Sequence, residues 1–297
     1  MKKMISVFAA AVMASAFVAE AAPVMNDGWS LLNSGKFQEA EKVFRTIASQ
    51  PGQSYNGTIG TMFALRRQRK NDDVIKEVDA WVKNNPQATA NQKTHLICFK
   101  GNALRDLGKI DEALAAYKAG FDLKGTNYTR TDCAKEYIQT AGNCGKVALA
   151  MAMYEEAIKV PNADKNLGFL ANSAWLMWKA NKPDPGLELL KKAEALKLTD
   201  GWKETIYRYR GYLYRDGKKD YEAAVKAFEQ ALAVNGLTET QKAVLWNNIG
   251  MAYERDEEYE KAVEAFKKVG TFNAKGWFMK SAANAAVRLQ KKIDAGE

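Results

Sequence analysis

The chain repeats one arrangement of apolar and polar positions. An apolar residue is followed three positions on by a small one, four further by another apolar one, and three further by a fourth. The set reads Phe37-Ala40-Phe44-Ile47, Ile110-Ala113-Tyr117-Gly120, Val147-Ala150-Tyr154-Ala157, Pro183-Gly186-Leu190-Ala193, Tyr221-Ala224-Phe228-Ala231 and Tyr259-Ala262-Phe266-Val269, with a degenerate copy, Asn71-Val74-Val78-Trp81, in second place. Steps of three and four put these side chains on one face of a helix. Successive central residues lie 34, 39, 37, 36, 38 and 38 positions apart, a near-constant period that means stacked supersecondary units. A second helix precedes each marked one. From Asn247 to Arg255 the apolar residues Ile249, Met251, Ala252 and Tyr253 run into the polar Asp256-Glu257-Glu258, and helical spacing resumes at Tyr259. Each unit is thus two helices with a tight turn. A single hairpin cannot bury its apolar face, so neighbours must stack and the ends need caps. Ala274 to Lys292, with Trp277, Phe278, Ala282, Ala286 and Leu289 on one stripe, is the expected closing helix.

The last unit, Trp246-x2-Ile249-Gly250-x2-Tyr253 and then Tyr259-x2-Ala262-x3-Phe266-x2-Val269, resembles a tetratricopeptide (TPR) repeat at nearly every signature position. The third is similar through Gly101, Leu104, Gly108, Ile110, Ala113 and Tyr117. The second departs at Asn71, and the fifth opens its helix unusually with Pro183-Asp184-Pro185-Gly186. The resemblance runs from about Val24 to Val269. It implies an all-α, right-handed superhelical solenoid of about seven hairpins plus the closing helix. Gly101, Ala113, Gly250 and Ala262 would let paired helices approach, with Tyr117, Tyr154, Phe228 and Phe266 filling the space between neighbouring pairs.

The first 21 residues follow a different logic. Lys2 and Lys3 precede an apolar run from Met4 to Val18, and Ala19-Glu20-Ala21 supplies a small-x-small cleavage pattern, the mark of a secretory signal peptide. The run of about 15 residues falls short of the ~20 that span a bilayer. The expected organisation is a signal peptide over 1–21 and one solenoid over 22–297, exported to a bacterial periplasm or beyond the cell.

Composition agrees with a folded chain: 47% hydrophobic, 27% charged and only 6 prolines. The formal charge of +9 falls to +8 once Lys2, Lys3 and Glu20 leave with the signal. That excess favours anionic partners, whether acidic protein segments, lipid headgroups or cell-wall polymers. Export makes nucleic acid an unexpected partner.

The chemistry of catalysis is missing. Gly35-Lys36, Gly108-Lys109, Gly145-Lys146 and Gly217-Lys218 lack the spacing of a phosphate loop. They recur at the turn after each first helix, where glycine supplies a left-handed cap. No Gly-x-Ser-x-Gly or His-Glu-x-x-His occurs, and His95 is the one histidine, expected at the surface or in a cap. Neither an enzyme, a metal site nor a cofactor is expected. Cys133 and Cys144, 11 residues apart on one helix, are about 16 Å apart and cannot bridge. Cys98 and Cys133 sit on neighbouring first helices, and all three thiols are expected to be free, buried and structural.

In the TPR family the concave surface is lined mainly by first helices. The resemblance carries that role onto Arg66, Asn102, Arg105, Lys135, Gln139, Trp175, Trp178, Lys179, Arg208, Tyr212, Arg215, Asn247 and Arg255. This set is basic, amide-rich and aromatic, suited to carboxylates, peptide backbone and apolar anchors. The carboxylate clamp of chaperone-binding TPR domains is not reproduced: Asn102 fills one position, but Cys98 stands where a lysine belongs. The expected function is an exported interaction module or scaffold holding an acidic protein or peptide segment. The alternative is a binder of cell-wall glycan or another small envelope ligand, using Trp175, Trp178 and Tyr212. Whether Trp175 and Trp178 face the groove or the core is open from the residues alone.

Overall fold

The computed structural model describes residues 23–296, so the expected signal peptide lies outside the described residues. Among the described residues the chain is all-helical, with fifteen α-helices, one short 3₁₀ turn and one π turn. They fall into two compact units that divide between Arg69 and Lys70, inside the most degenerate repeat.

The first unit holds α1 (Met25–Asn33), α2 (Phe37–Ala48) and α3 (Ser54–Arg67). Its centre is the fully buried Phe44 of α2. A Cβ on Gly28 of α1 would come within 2.4 Å of that ring, and one on Gly60 of α3 within 2.2 Å. Both helices therefore approach α2 at glycine, and Trp29 completes the wedge edge-on at 5.1 Å.

The second unit runs through α4 (Asn71–Asn84), α5 (Ala90–Asp106), α6 (Ile110–Asp122), α7 (Asn127–Asn143), α8 (Val147–Ala157), α9 (Leu167–Lys179), α10 (Pro183–Glu194), α11 (Asp200–Tyr212), α12 (Tyr221–Leu232), α13 (Glu239–Arg255), α14 (Tyr259–Val269) and α15 (Trp277–Asp294). Three of the longer first helices begin at threonine. Thr89, Thr126 and Thr238 each accept the amide N–H three residues on, and Gln92 and Gln241 return a side-chain oxygen to the cap N–H at 3.0 Å. Such boxes satisfy two otherwise orphaned donors and fix where the helix starts.

Within a pair, an aromatic of the second helix lies on the glycine of the first. A Cβ on Gly101 would meet the Tyr117 ring at 2.5 Å, and on Gly250 the Phe266 ring at 2.7 Å. These rings pack against the first helix of their own hairpin, a closer role than spacers between pairs. Tyr154 differs, lying stacked on Phe169 of the following pair at 6.2 Å.

The turn glycines behave as expected at Gly35, Gly108 and Gly145, all with positive φ. Gly217 does not. There the left-handed residue is Lys219, at φ 57°, and Gly217 belongs to a π turn spanning Leu213–Lys218. The cause is one extra residue. Thirteen positions separate Gly211 from Ala224, where twelve separate Gly101 from Ala113 and Gly250 from Ala262. A π turn absorbs such an insertion without ending the helix, and these turns are frequent at functional sites.

Helix α15 closes the unit against α14 with Phe278, Ala282, Ala286 and Leu289 buried. Trp277 is not on that stripe. It starts the helix one step out of phase and is 79% exposed. Two further expectations need correction. Cys144 is exposed because it caps the end of α7, beyond the packed face; Cys98 and Cys133 are buried and free. His95 is half-buried inside α5, its ring 5.3 Å from Phe99, and Thr89 does the capping.

Candidate partner-binding site

The first helices of the second unit bring most of the expected residues into two groups. One is built on α9, α11, the π turn and α13. Trp178, in the last turn of α9, stacks on Tyr212 with ring centroids 4.9 Å apart and planes 30° from parallel. Its indole N–H donates to Asp216 Oδ2 at 2.8 Å. Asp216 stands in the π turn, so the inserted residue is what aims this carboxylate at α9. Arg215 grips the same carboxylate with two hydrogen bonds, Nε to Oδ1 at 2.9 Å and Nη2 to Oδ2 at 2.8 Å. Arg255 of α13 adds a further ion pair through Nη1.

Burial alone would push the Asp216 carboxyl up. The hydrogen bonds and charge of Arg215, with donors from Trp178 and Arg255, outweigh it and hold the group at about 2. Arg215 itself is 5% exposed, and its Nη1 also donates to Asn248 Oδ1 at 2.5 Å. A buried charge of this kind is tolerable only with its partners in place.

Arg208 is turned over Tyr209 at 5.0 Å and donates to the buried carboxylate of Glu204 at 2.6 Å. Asn247 is buried, its amide pointing at Met251 Sδ 3.6 Å away. Trp175 is buried too, with ring atoms 2.5 Å from where a Cβ on Gly142 would stand. Lys179 is exposed, lies over the faces of Trp178 and Trp175 at 4.9 and 5.6 Å, and makes no ion pair among the described residues.

The second group joins α5 to α7. Arg105 Nη1 donates to Glu136 Oε2 at 2.7 Å, and Lys135 pairs with Asp132 at 2.5 Å and with Glu136 at 3.4 Å. Burial opposes the charge on Lys135, but Asp132 and Glu136 more than compensate and raise its pKa. Asn102 accepts the Tyr117 hydroxyl at 2.8 Å, and Gln139 is half-buried on the same helix as Lys135. Beside them burial lowers the pKa of His95 against an opposing pull from Asp132. The Cys98 thiol is raised by its hydrogen bond with Cys133 and by burial. Arg66, half-buried near the end of α3, belongs to the first unit.

The candidate cations are thus largely answered from within. Glu136, Asp132, Glu204 and Asp216 supply the counter-charges, and the sequence reading missed all four. Positive charge is left over at Lys179 and in the triad where one carboxylate serves Arg215 and Arg255. Of the three rings on which a glycan platform would rest, Trp175 is in the core, while Trp178 and Tyr212 cover one face of each other. Among the described residues no cluster of His, Cys, Asp and Glu could hold a metal ion, and no helix is long and apolar enough to cross a membrane.

Paired helices that repeat a glycine-on-aromatic contact define a helical-repeat protein. The repeats are of a particular kind: residues 94–127 and 211–271 each match a family model for the tetratricopeptide repeat. No curated protein matches the chain in sequence. Its fold is similar to that in the Cut9–Hcn1 hetero-tetramer of the APC/C, at 14% identity and a TM-score of 0.64 over 88% of this chain and 48% of that one. It therefore spans about half the length of that protein. A tetratricopeptide repeat protein from Parabacteroides merdae matches at 14% identity and TM-score 0.58, over 88% of this chain and 96% of that one. BtubC from P. vanneervenii matches at 17% and 0.55, over 78% and 92%. At these identities the likeness is one of fold.

Proposed function

We propose that the chain is an exported scaffold that acts by binding a protein segment and not by catalysis, and that the Trp178–Tyr212 platform is its anchor point. The observation that carries this reading is the pair of stacked rings between an exposed cation, Lys179, and a carboxylate whose own pairing locks the geometry. A platform held this firmly spares a partner much of the ordering cost of binding. The partner segment has acidic character, but sparingly: an apolar or aromatic side chain for the rings and one or two carboxylates for Lys179 and Arg255. Export rests on the N-terminal pattern ending at Ala21.

Affinity capture from a native cell-envelope extract, read by mass spectrometry, tests the binding. Lys179→Glu is the informative variant, because Lys179 is exposed and its replacement leaves the core alone. A protein held by the wild type and released by Lys179→Glu supports the site. Equal capture by both, or by neither, removes it. Fractionation of cells followed by N-terminal sequencing tests export, with Ala22 as the expected first residue.

A further inference from the structure

Helix α15 stands where a first helix would, and among the described residues no second helix is paired with it. On α13, Leu245 and Ile249 face the preceding α12, while Trp246 and Gly250 receive the following α14, whose Phe266 ring lies on Gly250. Thirty-three residues on, Phe278 and Ala282 face the preceding α14 in the same way, and the places of Trp246 and Gly250 are taken by Met279 and Ala283. Ala283 is exposed, and Met279 is half-buried against the α14–α15 core. Met279, Ala283 and Val287 border an open groove of about 440 Å³, with Phe266 of α14 and Gly270, which caps that helix, as its other wall. Val287 is 59% exposed. A contiguous apolar stripe left open to solvent on a repeat helix marks a seat.

The rim decides what sits in it. Lys267 and Lys291 flank the groove, and neither makes an ion pair among the described residues. A second copy of the chain would bring the same lysines against them. The geometry points to an amphipathic helix of a different protein, with acidic residues flanking its apolar ridge, docked between α14 and α15 in the manner of a further repeat helix. A large residue of that ridge would lie on Ala283 as Phe266 lies on Gly250. The groove runs from Met279 to Lys291, about 18 Å at 1.5 Å per residue, which calls for about three helical turns. This surface is separate from the Trp178 platform, and either reading can fail alone.

The test uses the full chain and a fluorescein-labelled synthetic amphipathic peptide with a leucine and phenylalanine ridge and glutamate flanks, beside a lysine-flanked counterpart. The expected result is saturable anisotropy with the glutamate peptide, weakened at least about tenfold by Val287→Asp and by Ala283→Glu, also at an exposed position. Lys267→Glu with Lys291→Glu should reverse the preference between the peptides. Unchanged thermal unfolding of the variants keeps the comparison fair. No saturable binding, or equal binding of both peptides, overturns the proposal. So does a wild-type dimer in sedimentation velocity that Val287→Asp converts to monomer, because the occupant is then a second copy.

Discussion

Trp178 and Asp216 meet across 38 residues of chain, indole N–H to carboxylate at 2.8 Å, and Arg215 and Arg255 close on the same carboxylate. Removing that carboxylate leaves the Arg215 guanidinium buried with Asn248 as its main remaining partner. Asp216→Ala should cost about 2–4 kcal/mol, less than the ~3–5 kcal/mol of breaking a fully buried pair because Asp216 is only half-buried. Asp216→Asn, which keeps one acceptor oxygen, should cost less. Urea midpoints check this, and an Arg215→Met background should shrink the Asp216→Ala loss, since no charge is then stranded.

The same group predicts acid behaviour. Asp216 sits at about 2 in the fold against an ordinary 3.8. A folded value below the unfolded one means the folded state binds fewer protons, so the stabilisation is whole above about pH 4 and is lost as pH falls toward 2. After allowance for solvent screening it amounts to about 1–2 kcal/mol. Urea midpoints taken between about pH 5 and pH 2 should fall more steeply for the wild type than for Asp216→Asn; parallel slopes would contradict the assignment.

Two glycine-to-alanine changes should differ in sign. At Gly101 the new methyl would stand 2.5 Å from the ring of Tyr117, which is wholly buried and tied to Asn102. Overpacking there should cost about 1–3 kcal/mol. At Gly201 an added methyl would meet nothing within 4 Å beyond its chain neighbours and its own helix backbone, and the residue is already helical, so alanine should add about 0.4–1 kcal/mol by restricting the unfolded chain. Thermal unfolding of the two variants is the check.

Thiol chemistry should count one accessible cysteine. Cys144 is exposed, whereas Cys98 and Cys133 are buried between α5 and α7. A chromogenic disulfide reagent should label one thiol per chain in buffer and three in urea. Fast labelling of more than one in buffer would mean that α5 and α7 separate readily.

The hairpins were legible because their cause is local. The three-four-three apolar spacing and the turn glycines each lie within one helix or one turn, and the Thr-x-x-Gln boxes, equally local, went unread. Glu204 was within reach as well, four residues before Arg208 on the same helix. What could not be read was pairing between repeats: Arg105 with Glu136 and Trp178 with Asp216 lie 31 and 38 residues apart, and only docked helices bring them together. Cations were therefore visible as a basic list without the acids that answer them. The π turn had a signal that went unused, the extra residue between Gly211 and Ala224.

That extra residue limits how freely the repeats can be exchanged. A standard hairpin spliced in place of α11 and α12 would keep the glycine contact and the left-handed turn, now seven residues beyond the glycine instead of eight. The helix face carrying Asp216 would rotate by about 100°, one residue's share of a helical turn. Trp178 and Arg255, contributed by other modules, would lose their common anchor. The array is modular in its packing and not in its polar wiring, so a chimera could fold well and still have no platform.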